Sequence, residues 1–292
     1  MILSDGSVVQ IANGKDETGT EMGANDPEPV TSLTKSMTAA IILQLVGEGK
    51  IGLDDKLPDL TVRPGLPWVG KVTIRQLLNH TAGVKPYDKT AGYEAVKTGP
   101  LTPITALDLV AADPKPLEWT PGAGNGYSNS GYLTLGLLAE QLTGQTYTEL
   151  LQTRVFDKAG MTSSKLDETP SAGWIGFSAG GVVAPISDLL AWGKALYREQ
   201  TILPKEQLAE MVNVTNDYSA GLGAFPACPC GLVDGERIYT SIGHNGGQVT
   251  IEYSPADHEV ISAWLSESMW IGTPSQEDVY ALLAAVRTAA AG

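Results

Sequence analysis

The sequence predicts an α+β fold in which one antiparallel sheet is assembled from both chain ends and flanked by helices, with a mainly helical region inserted between them. Three observations predict it. Strand patterns fall at residues 2–12 and again from about 236 onward, while the stretch between reads as helices and turns. The 292 residues are 42% hydrophobic and 18% charged, enough to bury a sizeable core. No internal repeat or low-complexity segment interrupts the chain, so residues 1–292 read as a single unit. Its sheet region spans approximately 1–55 and 200–292, and its helical region approximately 56–199.

The elements follow in order. Ser4-Asp5-Gly6 is the turn of a hairpin over residues 2–12, and a polar, acidic loop continues to Pro29. An apolar run from Ser32 to about Gly47 reads as a helix, closed by Gly47-Glu48-Gly49. Residues 57–70 are a loop rich in Pro and Gly. Thr73 then caps a short helix that stops near His80-Thr81-Ala82-Gly83. Thr102-Pro103 opens another helix, because proline is favoured at the first helical position. Further helices are predicted at 130–143, 146–158 (Thr146 and Glu149 form a capping box), 187–199 from Ser187, and 204–213. Strands follow at Arg237 to Gly243, Val249 to Ser254 and Glu259 to Leu265, then an amphipathic helix at about 276–289.

The formal net charge of −14 would repel phosphate backbones, which excludes nucleic acid as a general partner. No apolar run reaches the length of a membrane span, and no leader pattern is visible. Cys228-Pro229-Cys230 holds the only two cysteines. A loop role, a strained local disulfide and, last, a metal site are the open readings.

Three short patterns carry chemistry. Ser32-Leu33-Thr34-Lys35 places a hydroxyl and an amine three residues apart, on one face of a helix. A desolvated lysine can act as the base that makes a serine nucleophilic, and a helix N-terminus favours a developing oxyanion. Alone the pattern is weak, since roughly one Ser-x-x-Lys is expected by chance in a chain of this length. Tyr127-Ser128-Asn129 offers a phenol to relay protons and an amide to hold a substrate carbonyl, or else a simple helix start. His244-Asn245-Gly246-Gly247 lies between two predicted strands. Its glycines would let a substrate lie against the strand, or serve only a hairpin turn.

Taken together and in this order, the patterns resemble the serine β-lactamase-like family that includes class C β-lactamases, D-alanyl-D-alanine carboxypeptidases and related esterases. Residues 34–39 with 49–55, the segment Thr73 to Gly83, Tyr127 to Tyr132, Ser178-Ala179-Gly180-Gly181-Val182 and Gly221-Leu222-Gly223 are also similar to that family. The resemblance implies a β-lactamase/transpeptidase-like fold and an acyl-enzyme mechanism with no metal or organic cofactor. Ser32 would be the nucleophile, with Lys35 and Tyr127 handling the proton. The N–H groups of Ser32 and Gly247 would form the oxyanion hole beside Gly246. Asn129 would hold the substrate's amide, and His80 would be structural. His244 would line the pocket where class C β-lactamases carry lysine, which shifts the expectation from β-lactams toward a peptide or ester.

The expected substrate is therefore a small molecule or peptidoglycan peptide, with D-alanyl-D-alanine carboxypeptidase-like activity first and esterase or β-lactamase activity next. A rival of another class is a catalytically weak cell-wall-binding module of a larger surface or phage-tail protein. An extracytoplasmic location follows from the same resemblance. The chain would begin inside the family's first hairpin, without the N-terminal helix usual there. Thr31 precedes the serine where a small residue is common, and Arg237 is the nearest candidate for a substrate carboxylate.

Overall fold

The computed structural model describes residues 1–9, 19–21, 23, 25–169, 175–212 and the strand segments 232–233, 236–237, 239–244, 247–254 and 259–266. At the start, Ile2 bridges Val8 across the Ser4-Asp5-Gly6 turn, and the Met1 ammonium donates to Val9 O at 2.8 Å. The hairpin thus forms over residues 1–9, and its predicted end lies outside the described residues. Arg198 ties this turn down by donating to the carbonyl oxygens of Leu3 and Ser4 at 3.1 and 3.2 Å.

Strand β1 (Glu28–Pro29) leads into a 3-10 turn, Thr31–Leu33, and then into helix α1 (Thr34–Gly47). The helix predicted from Ser32 therefore starts two residues later. Thr31 has φ +46° and Val30 N–H donates to Val182 O at 2.9 Å, so the chain bends sharply before it can coil regularly. Helix α1 is buried from Thr34 to Leu45. Its apolar residues point all round, as a central helix requires. Its polar ones are paired: Ser36 Oγ donates to Leu33 O at 2.8 Å, and Trp192 Nε1 donates to Ser36 Oγ at 3.1 Å. Gln44 Nε2 donates to Ile202 O at 3.1 Å. These bonds remove the cost of burying polar groups in the middle of the core.

Helix α2 (Ile74–Leu78) carries the capping box of Thr73 and Gln76, and α3 (Pro103–Ala112) is capped by Thr102 with proline at its first turn. Helix α4 (Asn129–Thr143) ends at Gly144, whose φ of +72° supplies the left-handed stop. The predicted helix 146–158 forms as α5 (Tyr147–Leu151), a π-turn at Gln152–Phe156 and α6 (Asp157–Ala159). Strand β2 (Lys165–Leu166), α7 (Phe177–Gly180) and β3 (Val182–Ala184) were not expected from the pattern. Helix α8 (Ile186–Gly193) begins one residue before Ser187, after Pro185, and continues as a π-turn at Lys194–Arg198; α9 is Lys205–Val212.

Two short strands, β4 (Leu232–Val233) and β5 (Glu236–Arg237), pair with each other, so Arg237 lies opposite Leu232. The main ladder is β6 (Tyr239–His244), β7 (Gly247–Ser254) and β8 (Glu259–Ser266), antiparallel in that order. Helix α8 packs on β7 and β8, and the Tyr197 and Tyr253 rings stack at 5.7 Å. A smaller antiparallel sheet, β1-β3-β2, pairs Pro29 with Val183 and Lys165 with Val183. It holds the approach to Ser32. Helix α1 is packed against α4, α5, α7 and α9. Helices α4 and α7 approach closely because Gly136 has no side chain: a Cβ there would run into Ser178 Oγ and the Phe177 ring. Ser178 Oγ donates to Tyr132 O at 2.8 Å across the same contact. The arrangement is α+β. The helix expected at 276–289 and Cys228 with Cys230 lie outside the described residues.

Candidate active site

Ser32 sits in the 3-10 turn before α1, and Lys35 is the second residue of that helix, about one turn on. The turn is locked from both sides. Val30 N–H donates to Val182 O, while Val182 N–H donates to Thr34 Oγ1 at 3.1 Å. Thr31 lies in the left-handed region at φ +46°, and its Oγ1 is buried without a hydrogen-bond partner among the described residues. Such a backbone is unfavourable for a β-branched residue, on the order of 1–3 kcal/mol, and persists only where the surroundings over-determine it.

Three of the expected residues meet. Lys35 Nζ lies 3.0 Å from Ser32 Oγ, and the Tyr127 hydroxyl is hydrogen-bonded to the same Oγ. Lys35 Nζ also sits 4.7 Å from the centroid of the Tyr127 ring. A third partner fixes the amine: it donates to Ala179 O of α7 at 2.5 Å. Lys35 is buried, and that burial holds its pKa well below the ordinary 10.5. A neutral lysine can donate one N–H to Ala179 O and offer its lone pair to the Ser32 O–H. Tyr127 then donates its own O–H to Ser32 Oγ. This is the contact set a base-activated serine requires.

Asn129 opens α4 two residues after Tyr127, where Ser128 Oγ caps the helix by accepting from Gly131 N–H at 3.3 Å. Asn129 is buried, and its Oδ1 has no hydrogen-bond partner among the described residues. An incoming N–H group would satisfy it. His244 ends β6 opposite Gln248, and Gly247 begins β7 opposite Ser266. Strand β6 runs beside the turn that carries Ser32, and β7 also touches it. Gly246 lies outside the described residues.

Sequence reasoning missed the Ala179 carbonyl, since a backbone acceptor leaves no mark on residue type. The motif Ser178 to Val182 was visible, but its contact with Lys35 was not. The buried aromatic floor was missed as well: Tyr132 lies with its ring centroid 5.6 Å from Lys35 Nζ. A cavity of about 300 Å³ between α3, α4 and Phe177 is lined by Ile104, Leu137 and Glu140, and by none of Ser32, Lys35 or Tyr127. Among the described residues no group of three or more His, Cys, Asp or Glu could hold a metal ion, and no helix is long and apolar enough to cross a membrane.

A family model described as Beta-lactamase matches residues 1–286. Penicillin-binding protein 4* of Bacillus subtilis (strain 168) is 33% identical over 139 residues, which are 47% of this chain and 30% of that protein. A D-aminopeptidase of Brucella anthropi is 30% identical over 218 residues, 65% of this chain and 40% of that protein. This chain thus spans less than half the length of either relative. The D-amino acid amidase from Ochrobactrum anthropi SV3, in a structure complexed with L-phenylalanine, superposes with a TM-score of 0.76 at 20% identity, covering 95% of this chain and 89% of that one. The shared fold is the α+β, β-lactamase/transpeptidase-like one.

Proposed function

Because the chain belongs to the Beta-lactamase family and is a serine hydrolase of that family, we propose that Ser32 forms an acyl-enzyme with peptides or amides bearing a D-residue on the acyl side. The activity proposed first is D-alanyl-D-alanine carboxypeptidase-like. The observation that carries the acyl-enzyme reading is the convergence of the buried Lys35 amine and the Tyr127 hydroxyl on Ser32 Oγ.

In the first half-reaction Ser32 Oγ attacks the carbonyl carbon while its proton passes to Lys35 Nζ. Negative charge gathers on the carbonyl oxygen, where the N–H groups of Ser32 and Gly247 receive it. The carbon–nitrogen bond then breaks. Tyr127 gives its proton to the leaving nitrogen and takes one back from Lys35. Water repeats the sequence on the ester carbonyl and restores Ser32. Asn129 holds the substrate amide, and the proposed contacts on the His244-Asn245-Gly246-Gly247 side are made by His244 and Gly246. An extracytoplasmic setting belongs to the same reading, since cell-wall peptides lie there.

The D-aminopeptidase likeness supports a second reading, in which a free D-amino terminus is recognised instead of a terminal carboxylate. One substrate panel separates the two. N-acetylated peptides ending in D-Ala-D-Ala, D-alanine amide, a p-nitrophenyl ester and benzylpenicillin are each incubated with the protein, and turnover and intact mass are followed. The carboxypeptidase reading expects release of D-alanine and a long-lived penicillin adduct. Turnover of D-alanine amide alone would move the assignment to an aminopeptidase. Well-folded protein that neither turns over nor retains any of the four would contradict both readings.

A further inference from the structure

His80 is held in an unusual way for a residue outside the reacting set. It follows α2 with φ +59°, in the left-handed region, and only 3% of it is exposed. The turn around it is braced: Thr81 N–H and Ala82 N–H both donate to Gln76 O at 2.9 Å, and Thr81 Oγ1 donates to Asn79 Oδ1 at 2.6 Å. From that position His80 grips the segment carrying Tyr127 on both flanks. Its carbonyl oxygen accepts from Gly126 N–H at 3.0 Å, and its Nδ1 accepts from Ser128 N–H at 3.2 Å. Between those two bonds its ring lies 4.8 Å from the Tyr127 ring and 5.1 Å from the Tyr132 ring. Tyr132 is itself fixed by donating to Leu78 O at 2.8 Å. Tyr127 is 37% exposed, so packing alone does not hold it.

We propose that His80 is a positioning residue that sets the Tyr127 hydroxyl against Ser32 by clamping residues 126 and 128 from one side chain and its own carbonyl. The proposal rests on the acyl-enzyme reading above. It requires Nδ1 to be an acceptor, which holds only for the neutral imidazole carrying its proton on Nε2. Burial supports that state: it lowers the His80 pKa from 6.5 to about 3. The residue type fits both demands. Among uncharged replacements, asparagine combines tolerance of the left-handed backbone with an acceptor, Oδ1, at the place of Nδ1.

The clamp acts through Tyr127, and Tyr127 protonates the leaving group. Its loss should therefore slow acylation by substrates whose leaving group needs a proton and spare acylation by those whose leaving group does not. H80Q moves the acceptor by one methylene and H80N keeps it in place. H80Q is expected to lower kcat on an amide by roughly tenfold to a hundredfold, the scale of an ångström-level misplacement, with little change in KM. On the p-nitrophenyl ester the acylation burst of p-nitrophenolate should slow no more than about threefold, because p-nitrophenolate leaves unprotonated, whereas release of Ser32 in the following deacylation still needs the Tyr127 proton. H80N should recover most of the amide activity. In a cycle with Y127F, adding H80Q should cause no further loss on the amide, since both act through one hydroxyl.

Equal losses on the amide and on the ester acylation burst, equal behaviour of H80N and H80Q, or additive losses in the cycle would each overturn the clamp. A readout independent of turnover separates this from failure of the functional reading: 3-fluorotyrosine incorporated at Tyr127 should give one sharp fluorine line in the parent and H80N, and a broadened or split line in H80Q. A sharp, unshifted line in H80Q would overturn the clamp even for a protein that hydrolyses nothing on the panel.

Discussion

Ser32→Ala is expected to abolish the covalent adduct and to lower turnover of every accepted substrate by roughly 10⁴-fold or more, the scale seen when a catalytic nucleophile is removed. The fold should survive. Thr31 and Leu33 on either side are buried and carry the packing of the turn, while the Ser32 side chain is only partly buried. Removing its oxygen leaves Lys35 and Tyr127 without their shared partner, yet a water molecule can take that place at a partly exposed site. Melting temperature should therefore stay within a few degrees of the parent. Binding should persist, so KM for any residual turnover changes little while kcat collapses. Steady-state kinetics and a thermal melt on the same preparation check both halves.

Lys35→Met is the second large effect. Methionine keeps the length and most of the volume of the lysine stem but can neither accept a proton from Ser32 nor donate to Ala179 O. Loss of a positioned general base is expected to lower acylation by roughly 10²- to 10⁴-fold. Stability should move the other way or not at all, because the parent buries an amine whose charged form is disfavoured there. The sign in pH follows from the lowered pKa. The unfolded chain carries this proton up to about pH 10.5 and the folded chain gives it up earlier, so between the two values stability rises with pH. The working form is the neutral amine, so acylation should likewise rise with pH along an acid limb that lies well below 10.5. In Lys35→Met that limb should disappear from the pH–rate profile, and the remaining activity should be nearly flat. A variant that kept the limb would assign it to another group.

Much of this site was legible in the chain because its parts come with strong local signals. The run from Met37 to Val46 is too apolar to be anything but a core element, and Ser128 is a good cap residue just before a helical pattern. The cap at Thr73 and the capping box at Thr146 were readable for the same reason, although Thr102 pairs with Thr105, which is outside the usual Glu or Gln rule. The three long strands β6, β7 and β8 have enough residues for their pattern to show. Strands β1, β2 and β3, of two or three residues each, do not, and they are what orients the turn carrying Ser32. The start of α1 was misplaced because the positive φ at Thr31 is set by tertiary contacts with Val182, while threonine itself disfavours it. His80 could be seen as a helix-ending residue, but its hold on residues 126 and 128 spans more than forty positions of sequence. Nothing local encodes it.

Trapping the acyl group shows directly which residue carries it. The protein is incubated with benzylpenicillin or with an activated D-alanyl ester, quenched in acid, digested and sequenced by tandem mass spectrometry. A single modification of one acyl mass is expected on Ser32, absent from Ser32→Ala and formed more slowly in Lys35→Met. An acyl group on any other residue, or persistence of the adduct in Ser32→Ala, would contradict Ser32 as the nucleophile.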